Sequence, residues 1–139
     1  YFFASEKVIK DMFERGVLVL VSEVYAGTCY GTLESEVERV TRGGSNLIMD
    51  VDVKGALNIK ERYGAEAISI FVMPPTIDVL EKRLRGRATD SEETIARRLA
   101  KAEFEMGFAP RFDTVVINDD LDTAVSEVDK KIRDFIIEE

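Results

Sequence analysis

The chain contains no histidine and only one cysteine, Cys29. These two absences remove whole classes of chemistry. A lone thiol has no internal disulfide partner, and a Cys/His zinc site has no ligand set. Neither a Ser/His nor a Cys/His nucleophile pair can be assembled. No apolar run approaches the roughly 20 residues that span a bilayer. The first basic residue, Lys7, is not followed by the long apolar segment of a signal peptide. The expectation is a cytoplasmic protein with no membrane partner. Positive charge is short as well. The 27 acidic residues outnumber the 19 basic ones and leave a net charge of −8. That argues against broad nucleic-acid binding, which needs a basic surface. It leaves open a small phosphorylated ligand, which needs only a local cluster of arginines. The phosphate-cradling loop G-x-x-x-x-G-K-S/T is missing too, although glycine occurs 9 times.

What remains is an ordinary globular mix over 139 residues, 45% apolar and 33% charged. That suffices for one domain with a real core. The chain opens on Tyr1-Phe2-Phe3 rather than Met, which reads as an apolar strand entered midway and raises the expectation of sequence upstream. Ser5 can cap a helix running to about Arg15, with Val8, Ile9, Met12 and Phe13 on one face. Val17 to Val21 reads as a strand, with Tyr25 to Tyr30 as its turn and return. The pattern then alternates. Helices are expected over Glu34 to Arg42 and Val53 to Tyr63, and from Thr76 and Ser91 onward. Strands are expected over Asn46 to Asp52, Ala67 to Met73 and Thr114 to Asn118. An amphipathic helix over Leu121 to Phe135 places Val125, Val128, Ile132 and Phe135 inward. Apolar strands separated by helices imply an α/β fold with a parallel sheet covered on both faces. The carboxyl ends of its strands are where such sheets bind ligands.

Four segments carry candidate chemistry, and each has a plainer reading. Asp50 and Asp52 close a strand with their side chains on one side, where they would orient a ribose, a base or a hydrated Mg²⁺, or simply cap the next helix. Arg83, Arg87, Arg97 and Arg98 flank Gly86. They form either a mobile guanidinium cluster suited to phosphoryl transfer or a solvated surface partnered by Glu81, Glu92 and Glu93. Asn118 presents an amide at a strand end, suited to a purine edge, while Asp119, Asp120 and Asp122 suit a helix cap. Tyr25 to Thr32 offers two glycines and the Tyr30 and Thr32 hydroxyls, in a turn whose polar groups need no ligand.

In combination and in order, these segments resemble guanylate kinases. The matching text is Tyr1-Phe-Phe-Ala-Ser5, Glu23-Val-Tyr25, Tyr30-Gly-Thr32, Asp50-Val-Asp-Val-Lys-Gly-Ala56 and Pro74-Pro75. It continues with Arg83-Leu-Arg-Gly-Arg-Ala-Thr-Asp-Ser-Glu-Glu-Thr-Ile-Ala-Arg-Arg-Leu99 and Val116-Ile-Asn-Asp-Asp-Leu-Asp122. The resemblance implies a parallel core like that of P-loop kinases, with helices on both faces, a small mixed GMP-binding subdomain and a helical lid. The GMP-binding part would span about residues 1–34, the core about 35–82 and 99–139, and the lid about 83–98. It also implies transfer of the γ-phosphoryl of ATP, as MgATP, to GMP. By resemblance Tyr1 and Tyr30 would bond the GMP phosphate and Thr32 the guanine. Asp50 and Asp52 would line the GMP and Mg²⁺ side of the cleft, with no direct metal ligand. Arg83, Arg87 and Arg98 would clamp the transferring phosphates, and Asn118 would contact adenine.

The sequence departs from the family pattern at two places that bear on activity. The family's phosphate loop, catalytic lysine and a pair of GMP-phosphate arginines have no counterpart in these residues, so the chain as written is expected to be inactive alone. Leu20 stands where the family has a glutamate that reads the guanine edge. Both departures also suit a guanylate kinase-like scaffold domain that binds protein instead of nucleotide. The retained arginines and Asn118 favour the enzyme.

Overall fold

The computed structural model describes residues 6–15, 18–25, 28–87 and 90–138, and for residues 18–31 it describes backbone alone. The expected cap at Ser5 lies outside the described residues. The chain divides into two compact units, Tyr1–Ala67 and Ile68–Glu139.

In the first unit, helix α1 (Glu6–Glu14) leads into strand β1 (Leu18–Tyr25), which pairs antiparallel with β2 (Thr28–Leu33). The hairpin register sets Leu20 opposite Thr32 and Ser22 opposite Tyr30. Helix α2 (Glu34–Arg42) follows without a break. Its N-cap, Leu33, has no side chain that can cap, so Glu34 and Glu36 in the first turn answer the positive helix end. The chain leaves α2 through Gly44, whose φ of 83° suits a residue without Cβ. Helix α3 (Val53–Tyr63) is capped by Asp52 and ends at Gly64, φ 55°. A small core forms where Met49, Val51, Ile59 and Tyr63 pack against buried Val37 of α2. Arg62 of α3 and Glu34 of α2 pair at 2.7 Å across it.

The strand expected over Asn46 to Asp52 is not formed, and residues 45–52 belong to no ladder. Its two-residue alternation is nevertheless present at the end of the segment, although Leu47 on the same side is exposed. Met49 and Val51 turn inward, while Ile48, Asp50 and Asp52 stay exposed. A strand needs a neighbour to take its N–H and C=O groups, and no described segment supplies one.

In the second unit, β3 (Ile70–Met73) and β4 (Thr114–Ile117) pair in parallel, from Ile70 against Thr114 to Met73 against Ile117. They are joined through α4 (Ile77–Gly86) and α5 (Glu92–Met106), capped by the expected Thr76 and Ser91. Below the first ladder rung, the Asp113 carboxylate accepts from the Ser69 N–H at 2.8 Å and its hydroxyl at 3.1 Å. The Asp113 N–H in turn donates to that hydroxyl at 2.9 Å. This reciprocal clasp fixes where the parallel pair begins. Val116 is the most buried large side chain at 1% exposure, and Ile95 of α5 follows at 4%. Helix α6 (Leu121–Glu138) packs on β4. Its buried face centres on Ala124, 5% exposed, so Val125 is not inward as expected but 58% exposed, one helical step around. The two faces are also not wholly covered. Val72 is 54% exposed, and Val115 and Ile117 are exposed too.

Candidate functional site

The carboxyl end of β4 is the most constrained polar point in the second unit. The parallel ladder runs one step past the strand, where the Asn118 N–H donates to the Met73 carbonyl at 2.8 Å. The Arg83 guanidinium then takes the next two carbonyls, Nη1 donating to Asn118 at 2.8 Å and Nη2 to Asp119 at 3.3 Å. Arg83 stands in the last turn of α4, where a cation is favoured. Asp120 closes the turn. Its carboxylate accepts from the Thr123 hydroxyl at 2.7 Å and the Thr123 N–H at 3.0 Å, which starts α6. The hydroxyl bond, then the backbone bond, holds the Asp120 carboxyl below the ordinary aspartate range. The acidic run therefore divides as its chemistry suggests, with Asp120 as the cap and Asn118 outside it. The Asn118 side-chain amide has no protein partner among the described residues. It borders an open, mostly apolar groove of about 360 Å³ with Val72, Leu121, Val125 and Val128. An amide beside an apolar wall is the kind of surface that takes a flat heteroaromatic ring.

The α4–α5 corner carries the arginines. Arg87 caps α4, is exposed and has no ion-pair partner among the described residues. Arg98 of α5 donates to Asp90 at 3.0 Å, and the Asp90 side chain is only 15% exposed. Arg85 is held between Glu92 at 2.6 Å and Glu81 at 3.0 Å, and these bonds raise its pKa above the ordinary arginine value. Arg85, between the arginines weighed above, is thus solvated surface charge, held by two of the three glutamates expected as surface partners. Asp90 was not singled out in the sequence. It stands immediately before the Ser91 cap, eight residues or about two helical turns from Arg98, so only its position beside a helix start hinted at it.

In the first unit, Asp50 is exposed and has no hydrogen-bond or ion-pair partner among the described residues, whereas Asp52 Oδ1 accepts from the Gly55 N–H at 2.8 Å as the α3 cap. For Asp52 the capping reading holds, with its second oxygen uncommitted. One free carboxylate and one half-committed one suit outer-sphere contact with the hydrated Mg²⁺ of a nucleotide more than a protein cage. No group of three or more Cys, Asp or Glu side chains arranged for a metal occurs among the described residues. Thr32 is half-buried on β2. Tyr30 is described only by its backbone on β2, and Tyr1 lies outside the described residues. No described helix is long and apolar enough to cross a membrane.

Comparison with known proteins is informative over nearly the whole chain. The family model described as guanylate kinase matches residues 1–135. The guanylate kinase of Bacteroides fragilis is 46% identical over 136 residues, covering 98% of this chain and 67% of that protein. That of Porphyromonas gingivalis is 47% identical over 136 residues, covering 98% and 72%. The crystal structure of guanylate kinase from Anaplasma phagocytophilum superimposes with a TM-score of 0.70 at 26% identity, covering 96% of this chain and 63% of that one. The chain thus spans about two thirds of the length of the relatives it matches.

Proposed function

The chain belongs to the guanylate kinase family, nucleoside monophosphate kinases, and on that premise we propose that it serves ATP-dependent phosphorylation of GMP to GDP in the cytoplasm. A phosphate oxygen of GMP attacks the γ-phosphorus of MgATP, the bond from that phosphorus to the β-phosphate oxygen breaks, and ADP leaves. No bond to the protein forms, so the chain contributes by positioning and by neutralising charge. The observation that carries this reading is the strand end at Asn118, where the backbone is held on every side and the side-chain amide alone is left to a ligand. Asn118 would take the adenine edge of ATP, since an Asn amide matches the adjacent acceptor and amino donor of adenine.

The exposed Arg87 and the Asp90-bound Arg98 would neutralise the transferring phosphoryl. Asp50 and the open oxygen of Asp52 would meet GMP and the water shell of Mg²⁺, which when bound screens the phosphate charge. Tyr1, Tyr30 and Thr32 would hold GMP. None of the 139 residues forms a G-x-x-x-x-G-K-S/T loop, so this polypeptide by itself is expected to transfer little phosphate. Leu20, the cross-strand partner of Thr32, cannot accept the guanine N–H bonds that a glutamate accepts, so guanine is read weakly.

The test is a coupled assay of ADP formation by the product of the full open reading frame, with GMP or AMP as acceptor. GMP is expected to be preferred, and Leu20→Glu is expected to raise the GMP-to-AMP ratio about tenfold or more. A folded product that transfers no phosphate to GMP overturns the activity. An unchanged ratio in Leu20→Glu overturns the role given to that position.

A further inference from the structure

The bonds of Arg83 differ in kind from those of the other arginines near it. Arg85 and Arg98 are paired with carboxylates close by in sequence. Arg83 reaches across to the turn after β4, and both terminal nitrogens are spent on main-chain carbonyls. Those carbonyls are consecutive, so a single planar fork bridges them and fixes the peptide between Asn118 and Asp119. A lysine has one nitrogen and cannot bridge them in the same way. The turn is tied on the other side by the Met73 carbonyl and beyond by the Asp120 cap. Within that frame the direction of the Asn118 side chain is set by the one peptide that Arg83 holds.

We propose that Arg83 is a positioning residue that aims the Asn118 amide at the nucleotide base by bridging the Asn118 and Asp119 carbonyls, and that it does not act on the transferring phosphates. This rests on the reading of Asn118 as the adenine contact. It separates Arg83 from Arg87 and Arg98, with which the family resemblance groups it. A phosphate clamp is indifferent to the base of the donor nucleotide. A residue that works through Asn118 matters only where the base is read.

The experiment uses the product of the full open reading frame with saturating GMP and either ATP or ITP as donor. At the N7 edge, which an Asn amide reads in adenine, ITP carries a carbonyl in place of the amino group, so that edge presents two acceptors and no longer matches an amide oxygen and amino group together. Five proteins are compared: the parent, Asn118→Ala, Arg83→Lys, the double variant of these two, and Arg83→Gln, which removes the charge as well as the fork. Asn118→Ala is expected to abolish most of the ATP-over-ITP preference. Arg83→Lys is expected to lower kcat/KM for ATP about tenfold, chiefly through KM, while leaving ITP nearly unchanged. The double variant is expected to be no worse than Asn118→Ala. Equal losses with ATP and ITP, additive with Asn118→Ala, would overturn the proposal and return Arg83 to the phosphates. A preference untouched by Asn118→Ala would overturn the adenine reading itself, and this inference with it.

Discussion

Two segments of this chain look alike in sequence and differ in the fold. Asn46 to Asp52 and Thr114 to Asn118 are both apolar runs that end in polar groups, and both read as strands delivering those groups to an edge. Only the second has a ladder. Its partner β3 takes the backbone, Arg83 takes the carbonyls after it, and Asp120 starts the next helix. The first keeps the alternation of a strand, with Met49 and Val51 inward and Asp50 outward, but has no partner among the described residues. An apolar pattern sets which side chains face inward. Hydrogen-bonded neighbours set where the polar end points, and a site needs both.

The sharpest way to break this comparison is at the start of the β3/β4 pair. Ser69 is the buried polar residue there, and Asp113 satisfies both its N–H and its hydroxyl. Asp113→Ala leaves those donors without their acceptor, which costs about 2–3 kcal/mol by the general cost of a buried unsatisfied group. Urea unfolding should show it as a lower midpoint with an unchanged slope. A loss below about 0.5 kcal/mol, the size of an ordinary surface substitution, would mean that the clasp does not set the pair.

The corresponding change beside the unpaired segment is Asp52→Ala. It removes the bond to the Gly55 N–H at the start of α3, where losing a cap costs about 1 kcal/mol. The effect should be smaller than that of Asp113→Ala, because the freed N–H at an exposed helix end is taken by water. Asp52→Asn should recover most of the stability, since an asparagine oxygen also caps. A larger loss from Asp52→Ala than from Asp113→Ala would reverse the ranking of the two regions.

Much of this was legible in the sequence, for reasons that can be named. Helices α2 and α3 fall on the expected Glu34–Arg42 and Val53–Tyr63, because local signals fix both ends: acidic first turns or an aspartate cap, and a glycine exit. Thr76 and Ser91 cap as expected for the same reason. The missing ladder at residues 45–52 was not legible, because pairing is a property of a neighbour and not of the segment. Nor was the inward face of α6. Period alone allows either Ala124 or Val125 to face the sheet, and the small residue sits where the helix meets β4. At the site, Asn118 was legible as a polar residue ending an apolar run. The bond from Arg83 to its carbonyl was not, because a contact spanning 35 residues in sequence and made to the main chain leaves no mark in side-chain pattern.

The smallest expected effect lies at the third tie of the Asn118 turn. Asp120 is exposed, and its carboxyl is held below the ordinary range by the Thr123 hydroxyl and N–H. A carboxyl whose folded pKa is depressed stabilises the fold fully above its unfolded pKa. That contribution is lost as pH falls through the lowered folded value. The loss here is confined to the first turn of α6. The protection of the Thr123 and Ala124 amides, taken relative to their intrinsic exchange rates, should therefore fall on acidification below the ordinary aspartate range while that of the rest of α6 is kept. Asp120→Asn keeps an acceptor with no charge to titrate, so the protection of its first turn should show no such step. If the parent and Asp120→Asn change together with pH, the acid-sensitive tie is elsewhere. The strand end at Asn118 would then depend on the ladder to Met73 and on Arg83 alone.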